Sequence, residues 1–110
     1  MRYRKNIGDC GEEFAAKMLE NSGYEIMERN FWTKTGEIDI IARKDGVLHF
    51  IEVKTRTNDK YGLPSESITE NKKYKMRRTA ELYLNRRKLY WKNVSIDVYE
   101  IMSGLIEDCV

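Results

Sequence analysis

Only one proline, one histidine and two cysteines occur among the 110 residues, and each scarcity narrows what the chain can be. Two thiols and His49 cannot furnish the four ligands of a structural zinc site from one chain. Cys10 and Cys109 stand at opposite ends and read as reduced, structural residues. No apolar run approaches the roughly 18 residues that a membrane span needs. The basic start, Met1 to Asn6, leads into Asp9, Glu12 and Glu13, where a signal peptide would carry an apolar run. The expectation is therefore a cytoplasmic chain with no membrane partner. Repeats, low-complexity tracts and long linkers are also missing. Residues 1–110 are expected to form a single domain around one modest core.

Charge is plentiful and unevenly placed. Residues 1–53 carry a net −2, residues 54–92 a net +8 and residues 93–110 a net −4. A basic middle between acidic ends suits a face turned toward a polyanion. A lysine-rich, solvated helix would give the same numbers, and charge alone leaves the two readings level.

Apolar spacing at Ile7, Gly11, Phe14, Ala15, Met18 and Leu19 predicts a helix over 7–21. Gly23 is suited to its left-handed C-terminal cap. Tyr24 to Glu28 reads as a short edge strand. From Gly36 to Ala42 the residues alternate, with Ile38, Ile40 and Ala42 on one face and Glu37, Asp39 and Ile41 on the other. Val47 to Lys54 is apolar on both faces until its end, the mark of a central strand. Asp45-Gly46 between these runs is a strong hairpin signal. Residues 58–66, with Pro64, read as a loop. Ser67 and Glu70 resemble a capping box opening a helix over 70–87, with an inner stripe of Met76, Thr79, Ala80, Tyr83 and Leu84. Val94 to Met102 completes the set as a strand. The order predicts an α/β domain with a central mixed sheet flanked by helices.

A two-residue turn at Asp45-Gly46 has a specific consequence. Lys44 would pair with Val47, Ile41 with Phe50, Asp39 with Glu52 and Glu37 with Lys54, and the last six would share one face. The Asp39 and Glu52 Cβ atoms would then stand about 4.5–5.5 Å apart. Like charges so placed repel, by roughly 0.2–1 kcal/mol when exposed and more when partly buried. A hard cation such as Mg²⁺ or Mn²⁺ reverses the sign, because it accepts carboxylate, water and phosphate oxygens. Lys54, two residues beyond Glu52, could polarise a bound water or stabilise charge developing on a phosphate. The plain alternative is a surface hairpin on which Glu37 and Lys54 form an ordinary cross-strand ion pair. A three-residue loop would shift the register unless a bulge restored it.

Two further features bear on the site. Glu12 aligns with Ala15, Ala16 and Leu19 and so borders the apolar stripe of the first helix, where a carboxylate needs a partner. Equally, it could reach back to solvent. Lys72, Lys73, Lys75, Arg77 and Arg78 crowd the first half of the second helix. Cations there oppose the macrodipole at a typical cost of about 0.3–1 kcal/mol each. Phosphate contact is the obvious compensation, and solubility is the alternative. Lys72 aligns with Met76 and Thr79 and lies nearest the inner face.

An ordered set of residues carries a resemblance over nearly the whole chain. It runs Gly8, Gly11 and Glu12, then Gly23-Tyr24 and Asn30, then Gly36 to Ile41, Phe50 to Arg56, Gly62 and Lys72, and finally Ala80, Tyr83-Leu84 and Asp97-Val98. The chain resembles the YraN-like family of small bacterial proteins. That family is similar to archaeal Holliday-junction resolvases and looks like part of the PD-(D/E)XK nuclease superfamily. The resemblance implies a restriction-endonuclease-like core and a homodimer. It also implies metal-site roles for Glu12, Asp39 and Glu52, with Lys54 beside them. Trp32, where the family often has arginine, and Ser95-Ile96-Asp97, in place of Arg-Phe-Asp, depart from the pattern without touching those ligands.

The leading expectation is a Mg²⁺- or Mn²⁺-dependent endonuclease acting on DNA, branched or damaged structures included. Catalysis would rest on Glu12, Asp39, Glu52 and Lys54, metal binding on Asp39, Glu52 and Glu12. Glu37 would support the site from outside it. Arg56, Lys72, Lys73, Lys75, Arg77 and Arg78 would position the nucleic-acid backbone. The alternative is a non-catalytic nucleic-acid-binding module that keeps the nuclease fold. A third reading is a protein adaptor using the acidic tail at Glu107-Asp108.

Overall fold

Among the described residues, two amphipathic helices and four strands follow one another in the order α-β-β-β-α-β. In the computed structural model, which describes residues 7–56 and 69–102, they are α1 (Ile7–Asn21), β1 (Glu25–Thr33), β2 (Gly36–Lys44), β3 (Val47–Arg56), α2 (Glu70–Arg86) and β4 (Asn93–Met102). The expected loop at 58–66, Ser67, Cys109 and the acidic tail lie outside the described residues. The strands form one sheet in the order β1-β2-β3-β4. The first three are antiparallel neighbours, and β4 runs parallel to β3 after the α2 crossover. This is the expected α/β arrangement, a mixed sheet with a helix on each face.

Each face has its own core. Ala15, Ala16 and Leu19 of α1 pack with Ile40, Ala42, Ile51 and Ile101. On the other side Ala80 and Tyr83 of α2 pack with Phe31, Ile38, Ile41, Leu48 and Phe50. The Tyr83 ring meets Phe31 and Phe50 edge-on, at 5.1 and 5.8 Å between centroids. Such fully buried side chains contribute roughly 1.5–3 kcal/mol each, so β2 and β3 anchor the molecule from both sides.

Local chemistry sets the element ends. At Gly23 (φ 95°) α1 stops, with the Tyr24 amide donating back to the Leu19 carbonyl at 3.0 Å. Asp45 and Gly46 both have positive φ, 51° and 79°, the geometry of the two-residue hairpin turn expected there. The cap of α2 is Thr69 and not the expected Ser67; its hydroxyl accepts the Lys72 amide at 3.1 Å.

Several expectations need correction. β1 spans nine residues and not five, because it pairs with β2 from Glu25–Arg43 to Thr33–Gly36, through the left-handed Asn30 (φ 56°). Met18 is exposed, while Cys10 is buried in its stead on α1. Cys10 is disulfide-bonded and not a reduced thiol. The even alternation of β2 also fails: Ile38 packs with Ile41 on the α2 side, whereas Ile40 and Ala42 pack on the α1 side. The reversal falls at Asp39, at the level where Asn30 lies between the paired residues Arg29–Ile40 and Phe31–Ile38.

Candidate metal centre

From the Asp45-Gly46 turn, β2 and β3 pair in the expected register, Lys44 with Val47 through to Ile40 with Ile51. There the regular ladder ends. Continued pairing would send the Val53 amide to the Ile38 carbonyl. It donates instead to Asp39 Oδ2, at 2.8 Å. Asp39 thus reaches sideways to the β3 backbone, and the expected cross-strand pairs Asp39–Glu52 and Glu37–Lys54 do not form within the ladder. Reversed alternation on β2 is the physical reason: it turns Asp39 toward the gap between the strands.

On β3 the alternation persists, and Glu52 and Lys54 follow Leu48 and Phe50 onto the α2 side. The Glu52 side chain is 16% exposed. Its Oε1 forms an ion pair with Lys72 Nζ from the first turns of α2 and lies 3.9 Å from Lys54 Nζ. The other oxygen, Oε2, is buried without a hydrogen-bond partner. A buried carboxylate oxygen left unbonded is costly, on the order of 1–3 kcal/mol or more for a charged group. Asp39, Glu52, Lys54 and Lys72 therefore share one patch where the ladder ends.

Glu12 comes from the opposite helix. Gly11 is buried against the end of β3, where a methyl group would overlap Thr55 Oγ1. Only a residue lacking a side chain lets α1 approach this closely, and the next residue, Glu12, is brought within electrostatic range of Asp39. Burial pushes the Glu12 carboxyl up to about 7, with the charges of Asp39 and then Glu37 adding to the effect. Burial likewise pushes Asp39 up to about 6, against the Val53 hydrogen bond and with the help of Glu37 and Glu52. Contact with the Lys72 ammonium, then burial, lowers Lys54. For Lys72, burial works against the charged form, but the hydrogen bond to Glu52 and the nearby carboxylates win and raise it.

The donors are carboxylate oxygens, the kind that hard divalent cations prefer, and Glu52 Oε2 is a buried acceptor in need of a partner. Among the described residues, no three His, Cys, Asp or Glu groups converge closely enough to hold an ion. The fit is thus to a cation held by two carboxylates and completed by water and substrate oxygens, a common Mg²⁺ arrangement. Asp39 and Glu52 are the two carboxylates that would hold it. Glu12 contributes charge without joining a three-ligand cluster.

The basic residues divide sharply. Lys72 faces the site. Lys73 lies 3.6 Å from Glu70 and Arg78 3.4 Å from Glu81, each on its own helix. Lys75, Arg77 and Arg78 are exposed on α2, and Arg56 is half-buried at the end of β3. Sequence reasoning missed the direct ion pair between Lys72 and Glu52. The helical alignment of Lys72 with buried Met76 and Thr79 was the available signal, because it points the side chain toward the sheet.

Residues 11–101 match the model of an uncharacterised protein family, UPF0102. A UPF0102 protein of Clostridium perfringens strain SM101 is 48% identical over 100 residues, which are 91% of this chain and 82% of that protein. One from Clostridium botulinum is 48% identical over 104 residues, covering 93% and 85%. One from Dictyoglomus thermophilum is 41% identical over 107 residues, covering 94% and 91%. A crystal structure of a protein of unknown function aligns with a TM-score of 0.46 and 22% identity, over 94% of this chain and 54% of that one. This chain therefore spans about half of that protein's length.

Proposed function

The chain belongs to the uncharacterised protein family UPF0102, and from that premise we propose that it is a Mg²⁺- or Mn²⁺-dependent nuclease acting on DNA, branched or damaged structures included. One observation carries the reading: Glu52 is a buried carboxylate with an unbonded oxygen, beside Asp39 and two lysines, where the central ladder ends. Apolar strands have no structural use for that group of charges, and clusters of perturbed titratable groups mark functional sites.

Asp39 and Glu52 would hold the ion. When bound, it supplies Lewis acidity to water and to a phosphate oxygen. The Val53 amide fixes Asp39 Oδ2 and leaves Oδ1 to coordinate. The Lys54 ammonium, beside Glu52, stabilises negative charge on the phosphate. Glu12 adds negative potential from the α1 side. Arg56, Lys73, Lys75, Arg77 and Arg78 supply sequence-independent attraction to the backbone. In this reading the protein works in the cytoplasm, and a homodimer would present two such sites to one junction. Cytoplasmic thiols are usually reduced, so alkylation of Cys10 in freshly opened cells tests that location against its disulfide.

The deciding experiment is a cleavage screen over single-stranded, duplex, flapped and four-way DNA with Mg²⁺ or Mn²⁺, with wild type and Glu52→Ala side by side. Metal-dependent cleavage by wild type alone is expected. Silence on every substrate overturns the reading, and cleavage surviving Glu52→Ala assigns it elsewhere.

A second reading, a nucleic-acid-binding module without catalysis, is favoured by the ammonium already resting on Glu52. It requires Asp39→Ala to leave function intact, while Lys72→Ala and Arg77→Ala weaken DNA binding and its salt dependence.

A further inference from the structure

Glu52 Oε1, an oxygen that a divalent ion would be expected to use, already carries a cation. Lys72 Nζ forms an ion pair with it, and Lys54 Nζ stands 3.9 Å away. Two ammonium groups in contact with one another repel, so their shared carboxylate is what holds them together. Lys72 is also placed differently from its neighbours on α2. Its amide is fixed by the Thr69 cap at 3.1 Å, whereas Lys73 and Arg78 find acidic partners on their own helix. A cation in the first turn of a helix opposes the macrodipole, and Glu52 on β3 offsets that cost.

We infer that Lys72 is a built-in counter-ion which occupies the metal's place on Glu52 and is displaced when a divalent cation binds. The inference rests on the metal-dependent reading above and deepens it. Without metal, the charges of Asp39 and Glu52 are offset by the ammonium groups of Lys54 and Lys72. A divalent ion added alone leaves two surplus positive charges in a half-buried site. A nucleic-acid phosphate brings the missing negative charge, and the released Lys72 ammonium, still tethered at the helix cap, is within reach to receive it. Metal and polyanion therefore bind cooperatively, each strengthening the other by the same factor. Empty sites are held closed to stray ions by the protein's own side chain.

The test is Mn²⁺ binding without nucleic acid, read by electron paramagnetic resonance on full-length wild type, Lys72→Gln, Lys72→Arg and Lys92→Gln. Lys92 is an exposed lysine outside the site and controls for net charge. Lys72→Gln is expected to bind Mn²⁺ at least about tenfold more tightly than wild type, a coupling of ordinary size. Lys72→Arg and Lys92→Gln should match wild type. Without metal, Lys72→Gln should melt at a lower temperature than wild type and recover when Mn²⁺ is added. Should Lys72→Gln bind no tighter than a wild type that does bind, the counter-ion role is overturned and the nuclease reading stands. Should no variant bind Mn²⁺ in the millimolar range, both fall.

Discussion

The β2–β3 hairpin has two ends built on opposite principles. At the turn end, pairs from Lys44–Val47 to Ile40–Ile51 run without interruption, and Leu48, Phe50, Ile41 and Ala42 are completely buried. Every local rule agrees there: turn residues, alternation, hydrogen bonding and packing. At the open end, only a few residues away, a side chain replaces a backbone acceptor, a carboxylate oxygen lacks a partner, and two carboxyls are pushed to about 6 and about 7. The same two strands thus supply rigidity at one end and stored electrostatic tension at the other. The proposed phosphate and ion site needs both, because tension is useful only if the scaffold does not relax it.

The contrast can be broken in several ways. The largest effect belongs to the open end. Asp39→Asn or Glu52→Gln should lower metal-dependent DNA cleavage by about 10²–10³, with a loss of stability well below that of a core deletion. A fall in stability equal to that of a core deletion would mean that these groups are structural. At the turn end the outcome reverses: Phe50→Ala should cost roughly 3–5 kcal/mol in urea unfolding.

Gly11→Ala probes the joint between the two regimes. Overlap with Thr55 should cost roughly 1–3 kcal/mol, recovered in part by Thr55→Ala, with α1 and Glu12 displaced from the site. Intact stability in Gly11→Ala would show that the close approach is dispensable.

Glu12→Gln sharpens the electrostatic side. The Glu12 carboxyl titrates at about 7 when folded and near 4.5 ordinarily. The folded state therefore keeps its proton longer than the unfolded chain, and stability present below the unfolded value is lost as pH rises toward 7. Glutamine removes that loss. Its advantage over wild type should grow between pH 4.5 and 7.5 to about 1–2 kcal/mol, allowing for solvent screening of a half-exposed group. A constant difference across that range would refute the raised titration. Smallest is Gly46→Ala, whose left-handed turn position should cost about 1 kcal/mol and leave Mn²⁺ affinity untouched.

Much of this was readable from the residues because it depends on local periodicity. The α1 and α2 helices, the hairpin with its turn, the register down to Ile40–Ile51 and a mixed sheet that includes β4 follow from spacing, the Gly23 cap and turn chemistry. The reversal at Asp39 was not readable, because alternation is a local rule, whereas its breakdown depends on pairing with neighbouring strands. The length of β1 was lost for the same reason. The Cys10 disulfide escaped because sequence spacing gives no local signal that a thiol is paired.

By itself the sequence determined which groups are present: hard oxygen donors on two central strands, a glutamate behind a glycine, and a lysine at the head of a basic helix. Tertiary structure alone decided how they meet. It turned Asp39 onto the Val53 amide, brought α1 in through Gly11, and set Lys72 on Glu52, since the energy of one charge depends on burial and on charges far away in the chain.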